Sequence, residues 1–412
     1  MFDSLLNASH LAAPHELPGL IAAHAVKLGA RDAVVYLVDL QQTVLVPFHG
    51  SATQTEHQHE ALSVDSTLAG RCFQTTEVLI QRLGHDAAGV MVWIPVLNGT
   101  ERLGALCVTV DQHPTVLLEL RLRRLAAVAA ELMMTKTLYG DTIVQTRRQV
   151  PMSLAAEIQW ALLPPLTFAC SDVIIAGAME PAYTVAGDSI DYAVDPGCAR
   201  VAVFDAMGHG LESALLASLT VAAYRHARRG GKPLVDTALD IDSTVHAQHK
   251  GAAFTTGVLA ELDTASGLLR WLSAGHPQPL LLRRGARARA LLVQPSLPFG
   301  LEAGLGADRA FAVGTERLEP GDRVVFYSDG ITEARAPDGS FFGVERLVDF
   351  LNRQSDDDVP PPEAVRRLMR ALMVHQQGHL SDDATLLMVE WRSHREHVLL
   401  PEPAGGGAVS AV

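Results

Sequence analysis

The sequence predicts an α+β protein in which antiparallel sheets are covered by helices, in two folded parts joined by a helical segment. The chain has 412 residues, more than one core ordinarily organises, so two or three domains are expected. Hydrophobic residues make up 48% and charged residues 19%, which is typical of folded proteins. Short apolar strands alternate with helical stretches and hairpin turns, and this alternation indicates packed antiparallel sheets with helices outside.

The charge balance and the apolar stretches exclude several classes of protein. Acidic residues outnumber basic ones by 46 to 33, which gives a formal net charge of −13. This argues against non-specific binding to nucleic acids or anionic membranes, because both depend on Lys and Arg. No apolar stretch approaches the ~20 residues of a membrane-spanning helix, and no signal-peptide pattern opens the sequence. We therefore expect a soluble, cytoplasmic protein that binds neither nucleic acid nor membrane.

The cysteines indicate a reducing environment. They are Cys72, Cys107, Cys170 and Cys198. Their scattered spacing matches neither a zinc site nor a disulfide framework, so we expect reduced, mostly buried thiols.

Residues 1–113 are predicted to form an antiparallel sheet flanked by helices. Helices are expected at 15–29 and 67–74, and strands at 33–40, 43–48, 77–80, 90–96 and 102–110. Asn98-Gly99 is a strong signal for a tight hairpin between the last two strands. The pattern resembles a GAF sensory domain, and a dimerisation or scaffold module of the same shape is the alternative.

Residues 114–163 are predicted to be a helical linker. Its apolar residues are spaced alternately by four and three, as in a coiled-coil seam; they are Leu118, Leu122, Leu125, Ala129 and Leu132. This spacing predicts a homodimer through the linker. The alternative is a single helix that packs on its own domain. A second helix, 153–163, is expected to end at Pro164.

Residues 164–392 are predicted to form the second folded part, followed by a disordered tail at 393–412 that ends in Gly and Ala. Strands are expected at 173–179, 190–194, 200–205, 254–262, 268–273, 323–328 and 385–391, and helices at 212–228 and 234–246.

Two aspartates are expected to face each other in the first hairpin of this part. Asp195-Pro196-Gly197 is a turn signal, and a hairpin centred there places Asp188 opposite residue 204 or 205. Carboxylates facing each other across a ladder are destabilising, but a divalent cation between them reverses the sign of the interaction.

Further acidic residues lie at the ends of apolar strands. Asp205 is followed by Ala206-Met207-Gly208-His209-Gly210, Asp329 follows the strand RVVFYS, and Asp382-Asp383 precede the strand ATLLMVEW. Oxygen-only ligands suit Mg²⁺ or Mn²⁺ rather than zinc. Taken singly, each aspartate is more often a turn residue, and His209 and His276 are more often turn or core histidines.

The ordered motifs resemble the SpoIIE-type branch of the PPM metal-dependent protein serine/threonine phosphatases, which implies an α-β-β-α sandwich for 164–392. They are Gln159 with Leu162-Leu163-Pro164, Ala186-Gly187-Asp188-Ser189-Ile190-Asp191, Asp205-Ala206-Met207-Gly208-His209-Gly210, Ser273-Ala274-Gly275-His276-Pro277, Gly321-Asp322 with Tyr327-Ser328-Asp329-Gly330-Ile331-Thr332-Glu333-Ala334, Phe342-Gly343, and Asp382-Asp383-Ala384-Thr385. With the GAF-like part upstream, the whole resembles RsbU-like stress-signalling phosphatases.

The resemblance implies roles for several motif residues. Asp205 would bridge two Mn²⁺ or Mg²⁺ ions, with the Ala206 carbonyl on the second ion. Asp329 and Asp382 would complete the first ion's ligands, and Asp188 would lie beside the pair, so Asp205 and Asp188 are the expected catalytic residues. Asp383, Asp191 and His209 would be supporting residues without an assigned role. Met207 stands where the eukaryotic branch has a histidine thought to protonate the leaving group.

The function implied is hydrolysis of phosphoserine or phosphothreonine by a metal-activated water. The expected substrate is a phosphorylated STAS-domain anti-sigma-factor antagonist, and the expected control is by the N-terminal domain. One alternative is a non-catalytic or catalytically weak scaffold of the same fold, against which the intact carboxylates argue. The other is a nucleotidyl-transfer enzyme, against which the lack of a glycine-rich triphosphate loop argues.

One basic cluster in the second part is a candidate docking site for a phosphoprotein. It consists of Arg283, Arg284, Arg287 and Arg289. The alternative, which we favour from the sequence, is a solvated loop.

Overall fold

The computed structural model describes residues 2–50, 59–83, 89–184, 187–301, 311–378 and 382–401. Contacts divide the chain into two units, one made of residues up to 150 together with those from 397 onward, the other of residues 151–396. No helix among the described residues is both long and apolar enough to cross a bilayer.

The N-terminal unit is one antiparallel sheet with helices on both faces. Its helices are α1 (Phe2–Ser9), α2 (Leu17–Lys27), α3 (Leu68–Thr75), α4 (Val116–Thr137) and α5 (Thr142–Arg147), with a 3-10 helix at Pro14–Glu16. Its strands are β1 (Asp32–Val38), β2 (Val44–Pro47), β3 (Leu62–Ser63), β4 (Leu79–Arg82), β5 (Val90–Asn98) and β6 (Glu101–Val110). In the part of the unit that is described, the strand order is β3-β2-β1-β6-β5-β4.

The predicted elements of this unit are confirmed, with bounds shifted by a few residues, whereas α1 was not expected. The Asn98-Gly99 hairpin is also confirmed, because Asn98 pairs with Glu101 and Gly99 has a φ of 58°. Such a positive φ is the conformation that a tight hairpin turn requires and that glycine adopts without strain. Cys72 on α3 and Cys107 on β6 are buried in one core cluster, and burial raises the pKa of both thiols.

The predicted dimer seam is wrong, and the alternative of a helix packed on its own domain is confirmed. Leu122, Leu125 and Ala129 on α4 are at most 1% exposed and pack with α2 against β1, β5 and β6. Leu132 is buried in the same core, and Leu118 packs partly against it. The spacing misled because a helix covering a sheet and a helix in a coiled coil both repeat apolar residues every three or four positions.

The linker and the tail also differ from the prediction. Helices α4 and α5 belong to the N-terminal unit, and the second linker helix belongs to the other unit, so residues 114–163 are not a separate element. The segment 393–401, predicted to be disordered, contains a 3-10 helix at Glu396–Leu399. Leu399 is buried, and the Thr76 hydroxyl donates to the Val398 carbonyl oxygen at 3.3 Å. The remaining tail residues, 402–412, lie outside the described part.

The C-terminal unit has two antiparallel sheets packed face to face between helices. Its helices are α6 (Leu154–Leu162), α7 (Leu211–Arg229), α8 (Leu234–His249), α9 (Asp329–Thr332), α10 (Gly343–Asp356) and α11 (Pro361–His375). Its strands are β7 (Thr167–Ala169), β8 (Val173–Glu180), β9 (Asp188–Asp195), β10 (Cys198–Ala206), β11 (Thr255–Asp263), β12 (Leu268–Ala274), β13 (Leu280–Leu282), β14 (Arg289–Ala290), β15 (Gly314–Arg317), β16 (Arg323–Tyr327) and β17 (Ala384–Trp391). Over its described residues the sheet orders are β15-β12-β11-β10-β9 and β14-β13-β16-β17-β8-β7.

Successive side chains of each strand in this unit point to opposite faces of the sheet, one toward the other sheet and one toward the helices. On β10, Val201 and Val203 face the second sheet, where they meet Phe326 of β16 and Leu387 of β17. Ala202 and Phe204, which alternate with these valines, face α7 and α8. Helices α10 and α11 cover the outer face of the second sheet. The result is the four-layer α-β-β-α arrangement, which confirms the predicted α+β class.

Candidate metal centre

The β9–β10 hairpin brings two carboxylates face to face. Asp188 pairs directly with Asp205, which confirms the register predicted from the turn. Asp188 is two residues from Ile190 on β9, and Asp205 is two residues from Val203 on β10, so each lies on the same face of its strand as that neighbour. Ile190 and Val203 lie in the core between the sheets. The two carboxyl groups therefore face the space between the sheets at one end of the sandwich.

The second sheet brings three more aspartates to this end. Asp329 begins α9 two residues after β16, and Asp382 and Asp383 lie just before β17. The Ser328 hydroxyl joins the two segments, because it accepts from the Thr385 amide at 3.0 Å and donates to the Asp383 carbonyl at 3.3 Å.

The close approach of these two segments requires a glycine. A Cβ on Gly330 would lie 1.9 Å from the Asp383 carbonyl oxygen, so any other residue would push Asp329 away from Asp383. The glycine of this Asp-Gly pair is therefore needed for the packing of the two segments, whatever the turn itself requires.

The carboxylates repel one another strongly. Burial, followed by the charges of Asp329, Asp382 and Asp383, raises the pKa of Asp205 to about 7. Burial and the charges of Asp205 and Asp383 raise the pKa of Asp188 well above its ordinary value. Burial and the neighbouring Asp382 raise the pKa of Asp329. An arrangement that costs free energy in this way calls for positive charge.

The donor set fits a divalent cation. Asp188 Oδ2 is buried and, among the described residues, has no hydrogen-bond partner. A buried carboxylate oxygen without a partner is costly unless a cation or a proton satisfies it. Carboxylate oxygens are the ligands that Mg²⁺ and Mn²⁺ prefer.

The described aspartates lie at the same end of the sandwich, but their side chains do not form a complete metal-binding group. Within the described ranges, no group of three or more His, Cys, Asp or Glu side chains is arranged to hold a metal ion. Asp382 is exposed and Asp329 half-buried, whereas Asp188 is only 2% exposed.

Two of the predicted supporting residues have different surroundings. Asp383 lies beside the pair, because its Oδ2 accepts from the amides of Gly187 at 2.8 Å and Asp188 at 3.4 Å. Asp191 faces α7, where Arg225 at 2.8 Å and Arg228 at 3.4 Å pair with it. Asp191 is therefore a buried ion-pair residue on the other side of the sheet.

The remaining motif residues lie close to Asp188 and Asp205 in the sequence. His209 and Met207 are exposed in the loop after β10. The Ala206 carbonyl, expected on the second ion, accepts from the Ser213 hydroxyl at 2.8 Å, which leaves one lone pair of this oxygen for a cation. Ala186 of the lead-in motif lies outside the described residues.

His276 adds a contact that the sequence did not reveal. Its Nδ1 lies 2.9 Å from the hydroxyl of Thr256, and Thr256 pairs with Asp205 across the β10–β11 ladder. Burial lowers the pKa of His276 to about 4, so the ring is neutral. The motif marked this histidine, but only the register of β11 shows that it supports the strand beside Asp205.

The basic cluster is largely neutralised within its own unit. Arg283 pairs with Asp322 at 2.6 Å, and Arg289 pairs with Glu316 at 2.8 Å. Arg287 lies 3.5 Å from an Asp349 oxygen. These pairs favour the solvated-loop interpretation over a docking site.

Comparison with known families identifies the region around this centre. Residues 195–392 match the family model described as Stage II sporulation protein E (SpoIIE). We refer to this part of the chain as the SpoIIE-type region. The SpoIIE-type region contains Asp205, Asp329 and the Asp382-Asp383 pair, and Asp188 lies seven residues before it.

The chain is similar to two curated bacterial proteins. The chain is 28% identical over 140 residues to protein IcfG of Synechocystis, which covers 34% of this chain and 21% of IcfG. It is 23% identical over 246 residues to the phosphoserine phosphatase RsbU of Bacillus subtilis, which covers 60% of this chain and 71% of RsbU. The chain thus spans about a fifth of IcfG and most of RsbU.

Among solved structures, the SiaA-PP2C domain of Pseudomonas aeruginosa is similar with a TM-score of 0.49 and 22% identity, over 57% of this chain and 94% of that domain.

Proposed function

We propose that this chain is a metal-dependent protein serine/threonine phosphatase that hydrolyses phosphoserine or phosphothreonine on a regulatory phosphoprotein. The observation that carries the proposal is the buried Asp188–Asp205 pair within reach of three further aspartates of a SpoIIE-type region. Its relative RsbU is named a phosphoserine phosphatase, which supports the same chemistry here.

The acidic residues would hold two Mn²⁺ or Mg²⁺ ions. Asp205 would be shared between them, Asp329 and Asp382 would bind one ion, and the Ala206 carbonyl the other, with Asp188 beside the pair. When bound, such ions lower the pKa of a water and neutralise charge on a transferring phosphoryl group. Asp383 would keep the Asp188 segment in place through the two amides it accepts from.

The N-terminal unit would control this centre through α6. This helix holds the segment leading to Asp188, because the Trp160 indole donates to the Ala182 carbonyl at 2.7 Å and the Tyr183 carbonyl accepts from the Ser153 amide at 2.9 Å. Gln159 also accepts from the hydroxyl of Ser189 at 2.7 Å. A shift of α6 would therefore move Asp188 relative to Asp205. The sheet of the N-terminal unit supports its interpretation as a GAF-like sensor.

The partner would be a phosphorylated regulatory protein, and a STAS-domain anti-sigma-factor antagonist is the specific candidate. The relationship to the phosphoserine phosphatase RsbU supports a phosphoprotein partner.

One observation favours a second candidate, a catalytically weak scaffold of the same fold. The described carboxylates do not already form a closed metal-binding group, and a scaffold would not need one. Under this alternative the acidic residues would still repel one another, but added metal would not produce turnover.

Hydrolysis of para-nitrophenyl phosphate by the full chain with and without Mn²⁺ separates the two candidates. We expect hydrolysis that depends on Mn²⁺ and is lost in Asp205→Asn. Turnover of ATP or GTP instead would indicate a nucleotidyl-transfer enzyme. Absence of hydrolysis by the unaltered chain, with Mn²⁺ bound as measured by calorimetry, would establish the scaffold.

A further inference from the structure

One exposed face of α7 is apolar. From Leu211 to Tyr224 the sequence LESALLASLTVAAY contains one charged residue, Glu212. Leu211 and Leu215 are four residues apart and therefore lie on the same side of the helix. They are 43% and 55% exposed, and Met207, in the loop that leads into the helix, is 45% exposed. A solvent-facing helix side is ordinarily polar, so this stripe of Met207, Leu211 and Leu215 is unusual.

The stripe begins beside the metal centre. Met207 is two residues after Asp205, and α7 starts at Leu211. Leu211 and Leu215 are separated by about 6 Å along the helix at ~1.5 Å per residue. An extended peptide covers that distance with about two residues. A polypeptide with a phosphoserine at the centre could therefore place its neighbouring side chains on the stripe.

The charge on the stripe's own helix turn disfavours an acidic sequence context. Glu212 lies in the first turn of α7, between Leu211 and Leu215 in the sequence. Farther along α7, Arg225 and Arg228 are engaged by Asp191. Acidic residues beside the phosphoserine would be repelled here, whereas apolar residues would cover the exposed leucines and methionine.

We propose that the stripe of Met207, Leu211 and Leu215 docks the phosphoprotein substrate through apolar side chains that flank its phosphorylated serine. This inference rests on the proposed phosphatase function and specifies its substrate class. The partner is thus a segment with a phosphoserine between apolar residues, rather than one with acidic flanks.

The test compares the double variant Leu211→Ser/Leu215→Ser with the control Leu239→Ser, whose leucine is 40% exposed on α8. The probes are para-nitrophenyl phosphate and two synthetic phosphoserine peptides, one with leucines and one with serines on both sides of the phosphoserine, all with Mn²⁺. The unaltered chain should prefer the leucine peptide. In the double variant kcat/KM for this peptide should fall about tenfold or more, because the peptide's leucines lose the apolar surface on which they would be buried. The other two probes should be unaffected, and the control should resemble the unaltered chain.

Several results would overturn the inference. One is no preference for the leucine peptide in the unaltered chain, and another is an equal loss on both peptides. If light scattering shows a dimer that the double substitution dissociates, the stripe is an interface between two copies. Leu215→Gln alone repeats the test if the double variant melts at a lower temperature than the unaltered chain. Failure of the unaltered chain on para-nitrophenyl phosphate would instead refute the phosphatase function, and the inference with it.

Discussion

Replacing Asp205 with Asn should stabilise the metal-free protein at alkaline pH. The folded protein holds a proton on Asp205 up to a pKa of about 7, against 3.8 for the free side chain. The unfolded chain loses this proton near pH 4, so stability falls as the pH rises from about 4 to about 7 and the full cost remains above that. At 1.36 kcal/mol per pKa unit the cost is at most about 4 kcal/mol, and the partial exposure of Asp205 reduces it.

Thermal melting in a chelator, followed across this pH range, measures the effect. Near pH 4 the two proteins should melt together, and near pH 8 Asp205→Asn should melt higher by up to roughly 10 °C, at ~2–4 °C per kcal/mol for a unit of this size. Mn²⁺ should then raise the melting temperature of the unaltered protein, because a ligand that binds the folded state stabilises that state. It should have little effect on Asp205→Asn, which lacks this carboxylate.

Asp349→Asn, which alters an exposed aspartate on α10, is the matched control and should leave both pH dependence and metal response unchanged. Equal melting of Asp205→Asn and the unaltered chain at pH 8 would refute the view that this carboxylate is held against repulsion.

Three further changes test other parts of the structure. Gly330→Ala should abolish Mn²⁺-dependent hydrolysis and cost a few kcal/mol in urea unfolding, because its Cβ would meet the Asp383 carbonyl. Gln159→Ala should lower hydrolysis and cost ~1–3 kcal/mol by leaving the buried Ser189 hydroxyl without its acceptor; unchanged rates would argue against control through α6. Leu122→Glu should unfold the N-terminal unit in circular dichroism rather than dissociate a dimer, since this leucine is fully buried.

Local sequence patterns predicted most of the helices and strands of the fold. The Asn98-Gly99 and Asp195-Pro196-Gly197 turns determined hairpin registers because a turn and the strand period of two leave few alternatives. The α4 seam was misassigned because the spacing of Leu122 and Leu125 is compatible with two kinds of partner, a second helix or a sheet. The short helix at Glu396–Leu399 offers too few residues for any periodic signal.

The candidate site was predictable in part. The opposition of Asp188 and Asp205 follows from one hairpin. The approach of Asp329 and Asp382 depends on two sheets packing together over a long sequence separation, and only the resemblance to a known family anticipated it. The contact between His276 and Thr256 depends on a loop returning to β11, which no local pattern encodes. Asp191 shared its motif with Asp188 but faces the opposite side of the strand.

The placement of residues 397–401 has a consequence for the order in which the protein is made. The N-terminal unit is translated before the C-terminal unit, yet Leu399 is buried in it and the Thr76 hydroxyl donates to the Val398 carbonyl. Domains generally fold as they emerge during synthesis. This unit can fold early but gains its last packing segment only after β17 has been translated. A chain truncated behind Trp391 would therefore keep every strand of the two C-terminal sheets and lose part of the other unit.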